Sequence, residues 1–199
     1  MARPRKFDEA EVVRVARDQF WDGGYAATSL DDVCEVTGLG RGSLYGAFGD
    51  KHALYLRTLD SYCTEAVAGW RDALDGAGSA MERLENFVQS TASQIAGDVD
   101  RRGCMLAKAA AELSSGDADV AKKASDTFHA LHAVLTASVA EAQAEGSLDP
   151  SADSGKLASL LLAVLRGAEA LGKGGAGSNT VTDAASQALA LLPRSPTAV

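Results

Sequence analysis

The chain has 199 residues, 46% of them hydrophobic and only 6% aromatic, with 20 glycines and a formal net charge of −8. That length suffices for a substantial core in one large or two small domains. The net negative charge excludes a molecule that coats nucleic acid indiscriminately, so any DNA affinity must come from a local basic face. Charge is spread along the chain, with 8 Lys/Arg against 10 Asp/Glu in residues 1–60 and 11 against 17 in the rest. Cys34, Cys63 and Cys104 are odd in number and widely spaced, with no CxxC pair, which argues against a disulfide framework or a zinc site and for a reducing compartment. MARPRKF is basic, but Asp8, Glu9 and Glu11 follow at once, so no secretory apolar segment is expected. The longest strongly apolar run, Leu157 to Leu165, falls far short of the roughly 20 residues a membrane span needs. A cytoplasmic protein without membrane partners is the expectation.

Apolar residues recur at 3–4 spacing and strand signals are almost absent, so the fold class is all-α. A first helix begins at Asp8, where Asp8 with Glu11 reads as a capping-box pair and Phe7 with Val12 as a hydrophobic staple. Val12, Ala16 and Phe20 form its inner face, Gly23-Gly24 ends it, and Tyr25 packs back. Ser29 caps the next helix with Asp32 three residues on; Leu30, Val33 and Cys34 face inward until Gly38 breaks it. A third helix, about Arg41 to Phe48, turns Leu44 and Phe48 inward. Gly49 stops it, and Asp50 caps a long fourth helix through Leu54, Leu59 and Trp70. Further helices are expected near 79–96, 102–115, 117–145, 152–172 and 180–192. Gly146 and Pro150 mark one break, the Gly172 to Asn179 run another, and the tail from Pro193 reads as disordered.

The window Thr28 to Lys51 carries the function. Two short helices joined at a glycine form a helix-turn-helix (about 29–48), whose second helix enters a major groove through its N-terminal side chains. That helix opens with Arg41, which has the fork geometry for a guanine edge or a phosphate. Gly42 permits close approach, Ser43 can bond a base edge or a phosphate, and Tyr45 presents a hydroxyl one turn on. Lys51 supplies a helix N-terminal N–H and a positive head for a phosphate. Thr28 and Ser29 offer hydroxyl or amide groups to the flanking backbone. Arg3, Arg5 and Lys6 form a basic arm for phosphate or minor-groove contacts.

GGYAATSLDDVCEVTGLGRGSLYGAFGDK resembles the DNA-binding head of the TetR family of transcriptional regulators. Thr28, Val33, Gly38, Leu39, Gly42, Ser43, Leu44, Tyr45, Phe48 and Lys51 match its pattern. The resemblance implies a helix-turn-helix domain over 6–66 and a C-terminal effector-binding and dimerisation domain over 67–199. It further implies a homodimer on a palindromic double-stranded operator, usually a repressor, responsive to a small-molecule effector. Within that frame Tyr45 and Lys51 become phosphate contacts, Arg41 and Ser43 groove contacts, and Thr28 the anchor of the motif. The sequence departs from the pattern at Cys34 and Thr37, which stand for alanine, and at Gly40, which replaces a capping serine. Ala47 removes a histidine or aromatic beside the phosphates, and Asp50 adds a negative charge there.

Leu157, Leu160, Leu161, Val164, Leu165, Ala168 and Leu171 form a broad apolar face, and Val181, Ala185, Ala188 and Leu192 a narrower one. These suit either a four-helix dimer interface, which the resemblance favours, or a buried monomer core. Cys104, after Arg101, Arg102 and Gly103 at a helix start, has a setting that activates a thiol; a buried small hydrophobe is the plainer alternative. The resemblance implies electrophile or redox sensing for such a cysteine. Trp70, Phe87, Met105 and Phe128 are candidate effector-pocket lining with Cys104. His129 and His132, three apart on one helix face, join that pocket list and could reach a single metal or a ligand carboxylate; no third ligand is evident, an ordinary polar face or pocket wall is the plainer reading, and no cofactor is expected. An all-helical enzyme or carrier is a competing class, but no catalytic or phosphate-binding motif supports it.

Overall fold

The computed structural model describes residues 7–196. Nine helices run through them: α1 (Glu9–Gly23), α2 (Leu30–Thr37), α3 (Arg41–Phe48), α4 (Lys51–Leu74), α5 (Ala80–Ala96), α6 (Met105–Leu113), α7 (Ala118–Ala144), α8 (Ser154–Lys173) and α9 (Ser178–Ala190). Among the described residues no helix is long and apolar enough to cross a membrane. The chain divides into two compact units. The first runs to Glu65 and also takes in Met105–Ala124; the second comprises Ala66–Cys104 and Ser125–Val199. The first segment ends at Glu65, and α6 and the start of α7 return to the same unit. Sequence order could not reveal that return.

In the first unit, α1 buries Val12, Val13, Ala16 and Phe20 along one stripe. Asp8 is its N-cap, but the carboxylate accepts from Ala10 N at 2.9 Å and Glu11 pairs with Arg14 instead. The expected Asp8–Glu11 capping box is thus replaced by a single cap and an i,i+3 ion pair. Gly24, at φ +85°, ends the helix, and Tyr25 folds back onto Phe20 and Tyr55, with ring centroids at 6.3 and 4.8 Å. The second capping box does form: Ser29 Oγ accepts from Asp32 N and Asp32 accepts from Ser29 N. Of the three residues expected to face inward from α2, only Val33 is fully buried; Leu30 and Cys34 are half-buried. Gly38 ends α2 in the left-handed region at φ +66°, where a side chain would be strained.

The second unit has a core shared by α5, α7, α8 and α9, centred on Leu84, Val88, Leu135, Val139, Leu161, Leu165 and Val181. Ala92, Ala142, Ala158, Ala168 and Ala185 are buried among them, and such small side chains let helix axes approach closely. Gly172 belongs to this packing: a Cβ there would lie 2.7 Å from Ile95 Cγ2. The helix consequently runs on to Lys173, and the expected break begins at Gly174. Helix α6 starts at Met105 rather than 102, because Gly103 sits at φ +65° and donates its N–H to Asp98. The tail from Pro193 to Pro196 is ordered, contrary to expectation. Leu148 and Arg194 form an antiparallel bridge and Arg194 reaches Glu85 at 2.6 Å; residues 197–199 lie outside the described range.

Two glycines of this unit should respond oppositely to alanine. Gly69, inside α4, has open space around its missing Cβ, so Gly69→Ala should raise stability by about 1 kcal/mol. Gly172→Ala should lower it, because the β-branched Ile95 cannot swing its methyl aside. Denaturant unfolding of the two variants checks both signs.

Candidate nucleic-acid interface

Helix α3 is eight residues long, too short to persist alone in water, so its placement depends on what it buries. Leu44 and Phe48 are 2% and 6% exposed and fix one face inward. Arg41, Gly42, Ser43, Tyr45 and Gly46 are consequently turned to solvent, with Tyr45 at 52% exposure despite its ring. Gly40, the N-cap, contributes no side-chain hydrogen bond, as its departure from serine implied. No atom lies within 4 Å of the position a Cβ would take on Gly42, so nothing inside the chain requires glycine there.

Arg41 is not loose in solvent. Its guanidinium forms a two-point pair with Asp31 of α2, with Nε donating to Oδ1 at 2.6 Å and Nη2 donating to Oδ2. That bond holds the Asp31 carboxyl below its usual range, against an opposing desolvation. Arg41 is legible in the sequence as a candidate contact; its partner, ten residues away on another helix, is not.

Three of the other expected contacts are engaged within the chain. Thr28 is 2% exposed, with its hydroxyl turned toward Gln19 O at 3.4 Å, and thus anchors the motif to α1 rather than facing the solvent. The hydroxyl and amide of Ser29 are both taken by Asp32. The ammonium of Lys51 donates to Tyr25 O at 2.6 Å and lies 4.3 Å from the Tyr25 ring centroid, so its positive head is directed to the α1–α2 turn. Asp50 does cap α4, accepting from Ala53 N at 2.7 Å. Arg3, Arg5 and Lys6 lie outside the described residues.

The same turn is held from α6, by contacts that carry no local sequence signal. Lys108 donates to the last carbonyls of α1, Trp21 O at 3.0 Å and Asp22 O at 2.9 Å. Glu112 accepts from Tyr25 N at 3.2 Å and Ala26 N at 2.8 Å. His52 pairs with Asp117 at 2.7 Å, and Asp117 also accepts from Val120 N and Asp119 N, the contacts that hold its carboxyl below the usual range.

In the second unit the expected pocket residues do not form one cluster. Trp70 and Phe87 meet edge to face at 4.9 Å, and the Arg166 guanidinium lies 5.1 Å from the Trp70 centroid. Cys104, 7% exposed, accepts from Arg166 Nη1 at 3.5 Å, so a cation reaches it from α8. Arg166 also reaches Glu169 at 2.9 Å. Met105 belongs to the first unit and is simply buried core. Phe128 is half-buried. His129 is exposed and bonds Ser125 O, whereas His132 Nε2 lies 3.0 Å from both Gly155 O and Ser159 Oγ, so the two rings bond different partners. Among the described residues no group of three or more His, Cys, Asp or Glu is placed to hold a metal. An open cleft of about 400 Å³ is lined by Arg71, Leu74, Asp75, Ala133, Val134, Ala137, Ser138 and Glu141, none of them foreseen.

A capped helix, a left-handed glycine turn and a second short helix with a bare polar face make this a helix-turn-helix DNA-binding protein. Residues 12–58 match the family model of bacterial regulatory proteins, tetR family, and residues 80–189 match the tetracyclin repressor-like C-terminal domain. The chain belongs to the TetR family of transcriptional regulators, which are not enzymes. The Escherichia coli K12 transcriptional repressor ComR is 27% identical over 192 residues, covering 96% of this chain and 91% of ComR. A solved structure of a cysteine mutant of the TetR-family regulator CifR, complexed with 26-bp operator DNA, superposes with a TM-score of 0.83. It is 28% identical and covers 96% of this chain and all of that one. Reduced NemR from Escherichia coli shares the fold at TM-score 0.85 and 19% identity, covering 96% of this chain and 98% of NemR.

Burial raises the Glu169 carboxyl above its ordinary value, against the opposing pull of Arg166 and Cys104. A raised carboxyl binds its proton more tightly folded than unfolded. Its stabilising contribution is therefore complete below the unfolded value of about 4.3 and declines as pH rises toward the higher folded value. The difference in melting temperature between wild type and Glu169→Gln, followed from pH 4 upward, should shift steadily in favour of the variant.

Proposed function

We propose that this protein is a dimeric repressor that holds an operator through α3 and leaves it when a small, electrophilic effector reaches the second unit. The single observation that carries the DNA-binding half is the outward face of α3, where Arg41, Gly42, Ser43 and Tyr45 stand clear of the core. Arg41 and Ser43 meet base edges, Tyr45 meets a phosphate, and Gly42 allows the backbone close to the duplex. Lys51 contributes the N-terminal N–H of α4, since its ammonium serves the turn. Repression is supported by the ComR and BdcR names of two relatives, both transcriptional repressors of Escherichia coli.

Dimerisation is supported by α8. One side of it, Ala158, Leu161, Leu165 and Ala168, is buried within the chain. The adjacent stripe of Leu157, Leu160, Val164, Gly167 and Leu171 repeats at 3–4 spacing and leaves Leu160 at 40% and Leu171 at 42% exposure. Two such stripes form a self-complementary interface. Two heads then engage successive major grooves about 34–36 Å apart.

The effector half rests on Cys104. A guanidinium lies 3.5 Å from its sulfur, the kind of electropositive neighbour found beside cysteines that attack electrophiles. Complete alkylation of Cys104 should release operator DNA; unchanged affinity after full modification removes the electrophile from this reading and leaves the rest.

Gly42→Ala separates DNA contact from folding. With open space at the missing Cβ and a helix-favouring residue in its place, thermal stability should hold or rise. Duplex binding in a salt-titrated gel shift should nonetheless weaken, because the methyl projects toward the DNA. Full-strength binding by this variant would mean α3 does not enter the groove.

A further inference from the structure

The Asp31–Arg41 pair needs a reason that stability does not supply. Its side chains are 65% and 61% exposed, and ion pairs so open to water add little to folding. An acidic residue in the first turn of α2 suits the helix dipole by itself and requires no partner on α3. A carboxylate on a DNA-facing surface repels phosphates and draws charge away from the arginine there. Yet two short helices are arranged so that this contact is made at two points.

The geometry of the guanidinium gives the reason. Arginine has five N–H donors in one plane, one on Nε and two on each Nη. Asp31 takes the side-on pair, Nε–H and one N–H of Nη2. Left over is the end-on pair, one N–H each from Nη1 and Nη2, parallel and pointing away from Asp31. That fork matches the O6 and N7 acceptors on the major-groove edge of guanine. A freely rotating arginine must give up rotamer freedom when it docks; one held by a carboxylate has already done so. The carboxylate also balances the positive charge, so attraction to phosphates anywhere along the duplex falls while the planar donor pattern is kept. Contact with one base edge is thereby favoured over indiscriminate contact with the backbone.

We infer that Arg41 reads a guanine in each operator half-site and that Asp31 is its positioning residue, a specificity determinant rather than a brake on binding. This rests on the reading that α3 occupies a major groove. Tyr45, one turn beyond Arg41, lies outside the fork and reports on that wider reading independently.

The test is selection of full-length protein on a library of randomised duplexes, followed by affinity measurements on the duplex that wild type enriches and on its single-base substitutions. Wild type should prefer guanine at one position per half-site by about tenfold or more over each other base. Asp31→Asn, Arg41→Lys and Arg41→Ala should each flatten preference at that same position and leave the remaining positions as they were. Arg41→Lys keeps the charge but has no fork, and it does not alter α2, so it covers the case in which Asp31→Asn folds poorly. Asp31→Asn should bind the selected duplex more weakly although it removes a negative charge. The inference is overturned if wild type selects no guanine, if Arg41→Ala leaves the base profile unchanged, or if Asp31→Asn binds as tightly or more tightly with the same profile. Ser43→Ala and Tyr45→Ala tell the two levels apart. If they weaken binding while the Arg41 variants leave the profile alone, only the guanine assignment fails. If none of the four positions affects binding, α3 is not the reading helix.

Discussion

The bare polar face of α3 depends on the burial of three side chains from two helices that could not persist by themselves. Helices α2 and α3 have eight residues each, below the length at which an isolated helix is stable in water. Val33, Leu44 and Phe48, at 0%, 2% and 6% exposure, supply what hydrogen bonding alone does not. Because they occupy one side of each helix, the opposite side of α3 is left polar and bare without further specification. The left-handed Gly38 then sets the angle between the two helices, since a side chain would resist that backbone conformation.

Around this small core the first unit is tied together by polar groups at the α1–α2 turn. The backbone of Tyr25 is bound at its N–H by Glu112 and at its carbonyl by Lys51, while its ring packs on Phe20 and Tyr55. Lys108 neutralises the carbonyl end of α1 from the same helix that supplies Glu112. Helix α1 therefore has no basic residue of its own in its last turn; the complementary charge arrives from α6. The long side chain of Lys51, which sequence logic assigns to a phosphate, is committed to this turn.

The second unit follows a different rule. Its helices are brought close by alanine and glycine, with Gly172 against Ile95 as the tightest case, and its core is almost wholly apolar. Against that background the Cys104, Arg166 and Glu169 group stands out chemically. A thiol and a carboxyl of raised affinity for protons both meet the guanidinium that lies over the Trp70 ring, where low polarity strengthens each of these interactions.

Local information in the sequence was enough for the elements. Spacing, capping residues and glycines placed the helices within a few residues, and α3 at Arg41–Phe48 as found, because these signals act over one or two turns of backbone. The outward face of α3 followed from Leu44 and Phe48 alone. What depended on distant residues was not legible. Asp31 holds Arg41, Lys51 turns to Tyr25, Glu112 and Lys108 reach back more than 80 residues, and Arg166 reaches Cys104. A side chain's type states which bonds it can make, whereas the partner it makes them with is chosen by the packing of helices far apart in the chain. The sequence by itself thus determined the helices, their inner faces and the class of protein. The tertiary structure alone decided which polar groups on those helices are spent inside the molecule and which are left facing solvent.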